Sequence, residues 1–345
     1  DMVSRGLGDV YKRQFNSRFC IVENRLLFSG WQTGSEPFWK TSSSAFNRLI
    51  GRHRELFTCH SFLPLCAANL FYDKRCINLR YFVHFLKTRF IDIKQCATTM
   101  SKPVVLVTGG GKRIGAEISK LLIDSGFFVL IHVNNSVAQA EQIIAENMQS
   151  GEKPGDVIRA DLSDDSAIKS LIETVKEHKQ VIQSGGLAGL VHNASLYEPV
   201  SFEELTLETF RLYQKIHVET PFYLTSQLLG QLKNANGCVI GIVDTSQGRS
   251  WDQLSHYTSS KSGLRQLMTN LAGDLAPEIR VNCVAPGAII SASWELEHFA
   301  SVIEKVPMKR SGSPKDIANA VKFLLESDHI SGQTLFVDGG WNIVE

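Results

Sequence analysis

One stretch constrains the fold of this chain more than any other. Residues 103–108, Pro-Val-Val-Leu-Val-Thr, form an unbroken apolar run. Gly109-Gly110-Gly111-Lys112-Arg113-Ile114-Gly115 follows at once, and an amphipathic segment then runs from Ile114 to Ser125 and stops at Gly126. A short apolar run without polar alternation is a strand buried on both faces. A segment with helical periodicity that stops at a glycine is a helix. Joined by a glycine turn, the two make the first half of a parallel crossover unit. The helix N-terminus at that turn is an anion site, because free N–H groups point outward there and the helix dipole favours negative charge. A purely structural glycine turn is the alternative.

The same grammar repeats downstream. Strands are expected over 127–132, 157–162, within 186–195, over 238–244, 279–287 and 333–340. Helical periodicity covers 137–149, 164–178, two helices within 204–233, and one long helix over 256–275. Strands alternating with helices of this length predict an α/β fold, a doubly wound parallel sheet in a single domain over 100–345. Residues 288–312 show no clear period and are expected to form the substrate loop.

Residues 1–99 differ in kind. They hold 15 Lys and Arg against 7 Asp and Glu, whereas 100–345 hold 21 against 28. Cys20, Cys59, Cys66, Cys76 and Cys96 lie in this segment, without the CxxC spacing of a zinc site. Its most apolar window, Leu56 to Tyr72, includes His60, Pro64 and Asn69 and is too short and polar to span a bilayer. The opening string from Asp1 to Gln14 resembles a translated sequencing adapter. The expectation is an unstructured N-terminal extension, upstream sequence foreign to the native protein with Met100 as its start. A cleaved transit peptide is the alternative. The whole-chain net charge of +1 gives no reason to expect nucleic acid or an acidic membrane surface as partner.

The second expected strand ends at His132-Val133-Asn134-Asn135-Ser136 and has no acid there. Sites for NAD usually place a carboxylate at that point to hold the ribose 2′-OH. Lys112 and Arg113 sit in the glycine turn instead, so a 2′-phosphate, hence NADPH, is the expected cofactor. Solvated surface cations are the plainer reading of both. Asp161 is placed for an adenine contact, and Asn193-Ala194 ends the fourth strand at the crevice.

Tyr257 and Lys261 lie four apart on the long helix and share a face. A cation beside a phenol is expected to lower the phenol's pKa. Such pairs also recur on ordinary amphipathic helices. Asp244, at the end of the fifth strand, sets this pair apart, because all three groups then converge where open sheets bind ligands.

Taken together, TGGGKRIG, HNAS, Tyr257-x-x-x-Lys261, VNCVAPG and VDGG resemble the short-chain dehydrogenase/reductase family over nearly all of 103–340. Most members have Gly at Arg113 and Ser at Asp244. Arg and Asp at these places resemble the pteridine reductases, and strings such as Ile216–Pro221 resemble the bacterial dihydromonapterin reductases. The resemblance implies a Rossmann-type fold and NADPH-dependent reduction of a dihydropterin (dihydromonapterin, dihydrofolate or dihydrobiopterin), with hydride to C6 and a proton to N5. It implies cofactor contacts from Gly109, Lys112, Arg113, Ile114, Gly115, Asn134, Asn135, Ser136, Asp161, Leu162, Asn193, Ala194, Ser195, Tyr257, Lys261, Pro286 and Gly287. Arg113, Ser195, Tyr197, Asp244 and Tyr257 would meet the substrate, Tyr197 by stacking; an ordinary loop aromatic is the alternative for Tyr197. Asp244, Tyr257 and Lys261 form the implied catalytic set. The family's usual catalytic Asn is replaced by His217, either a substitute in a proton relay or a satisfied core histidine. No metal is expected. A cytoplasmic homotetramer is implied. A carbonyl or 3-oxoacyl reductase and a non-catalytic NADPH sensor are the competing functions; Asp244 disfavours the first and the intact Tyr257–Lys261 pair the second.

Overall fold

The computed structural model describes residues 20–22, 25–27, 101–148, 151–246, 248–292 and 294–344. The chain divides into two compact units, Asp1–Thr98 and Thr99–Glu345. In the first, β1 (Cys20–Val22) and β2 (Arg25–Leu27) pair antiparallel. The rest of the expectation for 1–99 lies outside the described residues.

The second unit is built on β3 (Val104–Thr108), β4 (Phe128–Val133), β5 (Gly155–Arg159), β6 (Gly189–His192), β7 (Cys238–Ile242), β8 (Arg280–Pro286) and β9 (Thr334–Val337). They form one seven-stranded parallel sheet in the order β5-β4-β3-β6-β7-β8-β9. All five residues of β3 are buried. Alternation sends Val104 and Leu106 to one core and Val105 and Val107 to the other, so both faces need apolar side chains. The chain leaves β3 toward β4 on one side and returns to β6 on the other. That switch point opens a crevice at the carboxyl ends of the strands.

The helices are α1 (Arg113–Asp124), α2 (Val137–Glu146), α3 (Asp165–Glu177), α4 (Lys179–Ser184), α5 (Leu207–Gln214), α6 (Thr220–Gln227), α7 (Leu229–Asn234), α8 (Ser255–Asp274), α9 (Leu296–Lys305) and α10 (Pro314–Glu326). Helices α1, α2 and α10 supply apolar residues to one core, while α3, α6 and α8 supply the other. Local chemistry fixes several ends. Asp164 caps α3 through Ser166 N–H, and Ser313 with Asp316 forms a capping box ahead of Pro314. No described helix is long and apolar enough to cross a membrane.

Three expectations need adjustment. The strand expected over 157–162 is Gly155–Arg159, because its register with β4 pairs Val129 with Gly155 and Val133 with Arg159, leaving Asp161 beyond the sheet. The unreadable stretch after β8 contains a helix, α9. The helical region over 204–233 widens into a π turn at Lys215–Glu219. Pro221 explains the widening: proline has no N–H for the carbonyl four residues back, and its ring clashes there, at His217.

Candidate active site

A cleft of about 770 Å³ runs along the carboxyl ends of the strands. Each residue expected to contact cofactor or substrate lines it, and of the residues weighed for catalysis only His217 does not.

At one end lies the glycine turn. Gly109 has φ +64°, and a Cβ there would stand 2.9 Å from the Ala194 backbone. A Cβ on Gly115 would lie 2.1 Å from the Gly109 carbonyl oxygen, so the turn can tuck under α1 only with glycine. Thr108 and Asn193 hold the turn against β6. Asn193 and Ala194 donate their backbone N–H groups to Thr108 Oγ1, and Asn193 Nδ2 donates to the carbonyls of Thr108 and Gly109. No side chain caps the start of α1, and no acid lies in its first turn. Its N–H groups therefore remain for an anion, with Lys112 and Arg113 exposed beside them. Past β4, Asn134, Asn135 and Ser136 continue the wall with no carboxylate among them. Asp161 is turned into its own loop, accepting from Ser163 N and Oγ, and these bonds hold its pKa below the ordinary value. This arrangement fits a phosphate-rich dinucleotide.

At the other end, α8 presents Tyr257 and Lys261, and β7 ends two residues before Asp244. The Tyr257 hydroxyl donates to Asp244 Oδ2 at 2.8 Å. Asp244 Oδ1 accepts Ser246 N–H at 2.7 Å, which fixes the carboxylate. Lys261 is buried and donates to the Ile242 carbonyl at 2.9 Å. Burial pushes its pKa down to about 8, with Asp244 partly opposing the shift.

The expectation that Lys261 lowers the Tyr257 pKa is overturned. Burial first, then the Asp244 carboxylate, push it well above the ordinary phenol value. The i, i+4 spacing does bring the pair together, but the ammonium bonds a carbonyl and stands 5.9 Å from the ring centroid. Tyr257 is thus a held proton donor rather than a ready phenolate.

Tyr197 packs edge-on against Tyr257, with ring centroids 4.9 Å apart, and its hydroxyl donates to Glu295. Arg113 donates from Nη2 to the Ile290 carbonyl at 3.0 Å, so the glycine turn also touches the loop after β8. Ser195 lies at the mouth, its Oγ 3.0 Å from His217 Nε2. Leu162, Pro286 and Gly287 complete the expected lining.

His217 lies behind the cleft on a separate cavity of about 10 Å³. Its Nε2 accepts Leu196 N–H at 3.1 Å, which leaves the proton on Nδ1, 2.7 Å from Ser260 Oγ. Burial, then the nearby Lys261, hold its pKa well below the ordinary value. Both nitrogens are occupied and the ring is neutral, the geometry of a satisfied core histidine.

Sequence reasoning passed over His132 and Glu295. His132 lies at the end of β4, where Nδ1 accepts Gly109 N–H at 3.3 Å and Nε2 meets the Ala160 carbonyl at 3.1 Å. It pins the glycine turn to two neighbouring strands, and burial lowers its pKa to about 4. A lone polar side chain on an otherwise apolar strand next to the turn was its signal. Glu295, in the unreadable loop, gave none.

Comparison with known proteins agrees with this architecture. Residues 110–342 match the family model described as enoyl-(acyl carrier protein) reductase, of short-chain type. A dihydromonapterin reductase from an Enterobacter species is 30% identical over 240 residues, 68% of this chain and 95% of the relative. Glucose 1-dehydrogenase 2 of Bacillus subtilis is 29% identical over 248 residues, 69% of this chain and 94% of the relative. The crystal structure of FolM alternative dihydrofolate reductase 1 from Brucella canis, complexed with NADP, superposes with a TM-score of 0.63 at 31% identity, covering 72% of this chain and 97% of that one. With its sheet order, glycine turn and Tyr257–Lys261 pair, and with most of its length matched, the chain belongs to the short-chain dehydrogenase/reductase family of oxidoreductases.

Proposed function

We propose that the protein is an NADPH-dependent reductase of a 7,8-dihydropterin, with residues 100–345 as the working domain. One observation carries the choice of substrate: the Asp244 carboxylate bonded to the Tyr257 hydroxyl at 2.8 Å. Reduction of a carbonyl develops an oxyanion next to the tyrosine, and a carboxylate there opposes it. Reduction of a C6=N5 bond also takes one hydride and one proton, but the imine nitrogen is basic and can take its proton first. The cationic C=N–H⁺ group so formed is stabilised, not opposed, by a nearby carboxylate. The dihydromonapterin reductase and alternative dihydrofolate reductase relatives support the same reading.

In this reading NADPH supplies the hydride. Glycine-turn N–H groups, Lys112 and Arg113 hold its phosphates. Arg159, whose Nε donates to the Asn134 carbonyl, would add positive charge beside Asn134. Lys261 holds the nicotinamide ribose. Asp244 orients Tyr257 and keeps the phenol protonated until it donates to N5. Arg113 faces the pterin oxygen edge, and Tyr197 forms part of the wall.

The test is NADPH consumption with a dihydropterin, a dihydrofolate and a 3-oxoacyl thioester side by side. Dihydropterin or dihydrofolate should be reduced at least about a hundredfold faster than the thioester, the scale of a positioned proton donor. NADPH should outperform NADH at least about tenfold, or about 1.4 kcal/mol, through charge-assisted bonds to the 2′-phosphate. Faster turnover of the thioester would replace the pterin reading with a carbonyl reductase.

A further inference from the structure

Glu295 stands immediately before α9 and is 7% exposed. Its Oε2 accepts the Tyr197 hydroxyl and its Oε1 accepts Ala292 N–H, each at 2.8 Å. Both donors are neutral. None of the ion pairs found among the described residues includes Glu295. A buried carboxylate is ordinarily paired with a cation or saturated with hydrogen bonds. It offers about four lone-pair sites, and here two donors are in place. The residue lines the same cleft as Tyr197 and Tyr257, so its remaining acceptor capacity lies within reach of a ligand. Asp244 differs: Lys261 is close enough for the carboxylate to raise the ammonium's pKa.

We propose that Glu295 recognises the substrate by its donor edge. It would take the 2-amino group and N3–H of a 2-amino-4-oxopyrimidine ring through two parallel N–H···O bonds. The inference rests on the dihydropterin reading and deepens it. A carboxylate matches two parallel donors in one plane, as it matches the fork of an arginine. Neither an acyl thioester nor a sugar presents such an edge. The Tyr197 hydroxyl fixes the carboxylate from the side; burial and Glu295 itself keep that phenol protonated by raising its pKa. Glu295 Oε1, by holding Ala292 N–H three residues back, fixes the carboxylate from its other side.

The experiment replaces the donor edge in the substrate. A 6-substituted 7,8-dihydropterin is compared with the matching 7,8-dihydrolumazine, which carries oxygen in place of the 2-amino group. The unmodified protein should favour the pterin about a hundredfold in kcat/KM, because a site built for a donor is left with an unmatched buried acceptor. Glu295→Gln should reduce that preference at least tenfold, chiefly by raising KM for the pterin, with NADPH affinity and melting temperature reporting an intact fold. A pterin-to-lumazine ratio near one in the unmodified protein overturns the assignment, even if the variant fails to fold. So does a folded Glu295→Gln protein with an unchanged ratio. A protein that binds NADPH but turns over neither heterocycle overturns the dihydropterin reading itself.

Discussion

Helix α8 carries two polar clusters back to back, and they are finished differently. Facing the cleft, Tyr257 bonds Asp244, and Lys261 bonds one carbonyl, leaving ammonium donors and phenol lone pairs available. Behind it, Ser260 bonds both the His217 ring and the Tyr257 carbonyl, while Leu196 N–H fills the other side of His217. Both clusters are buried, and both contain titratable groups with displaced pKa values. Only the first has unfilled valence toward open space. Burial and a shifted pKa are therefore not enough to single out a candidate working group; an unfilled donor or acceptor facing the cleft is the further mark.

The sharpest break of this comparison is Asp244→Asn. It preserves size and polarity while removing the carboxylate that orients Tyr257. Dihydropterin turnover should fall by about 10²–10⁴, the usual range for a displaced proton donor. NADPH affinity and melting temperature should hardly move, since the glycine turn proposed to hold the cofactor's phosphates lies at the other end of the cleft. Single-turnover rates with saturating NADPH would show it. Full turnover in the variant would reduce Asp244 to a turn residue and remove the main argument for pterins over carbonyls.

The closed cluster should respond in the opposite sense. His217→Gln removes a ring that bridges Leu196 and Ser260, so stability should drop by about 1–3 kcal/mol, the scale of unsatisfied buried groups. The kcat/KM for dihydropterin should stay within about threefold. The pH dependence adds a second reading. His217 has a folded-state pKa below its unfolded value, and His132 and His192 are pushed to about 4 and about 3. The unfolded chain takes up these protons first. Stability is thus complete above pH about 6.5 and is lost as pH falls below it, by about 1.4 kcal/mol per pH unit for each neutral histidine. Removing His217 should make urea midpoints fall less steeply between pH 6 and 4, on the order of one histidine's share. An unchanged slope together with a hundredfold loss of turnover would restore His217 to the proton path.

The open cluster was legible because its parts are local or periodic. The Tyr257–Lys261 spacing needs only a helix, the glycine turn only its neighbours, and β3 announces itself by four consecutive apolar residues, Val104–Val107. The direction of the Tyr257 pKa shift was not legible, since it comes first from burial and then from the Asp244 carboxylate, and neither the depth of the ring nor that contact is written in the helix spacing. His217 remained undecided in the sequence because its partners come from residues 21 and 43 positions away. Glu295 was invisible for a similar reason: its hydroxyl donor, Tyr197, lies 98 residues off, in a segment whose periodicity says nothing about contacts. Strand and turn chemistry is written along the chain, whereas the completion of a buried polar group is written across it.

The smallest expected effect on stability tests how the glycine turn trades conformation for chemistry. Arg113 has φ +51°, a region that most side chains avoid and glycine does not. Holding it there costs about 1–2 kcal/mol. Arg113→Gly releases that strain. The gain is offset, since glycine enlarges the unfolded ensemble by about 0.4–1 kcal/mol and the exposed bond to the Ile290 carbonyl, worth about 0.5–1 kcal/mol, disappears. The three terms nearly cancel, so stability should stay within about 1 kcal/mol and the melting temperature within a few degrees. Turnover should not stay level. Loss of the guanidinium fork removes the contact proposed for cofactor phosphate and pterin, and kcat/KM should fall about tenfold or more. That pairing of unchanged stability and reduced turnover is the signature of strain kept for function. A variant destabilised by more than about 3 kcal/mol would make Arg113 a structural strut of the loop after β8, and one with undiminished turnover would leave its backbone strain without a functional reason.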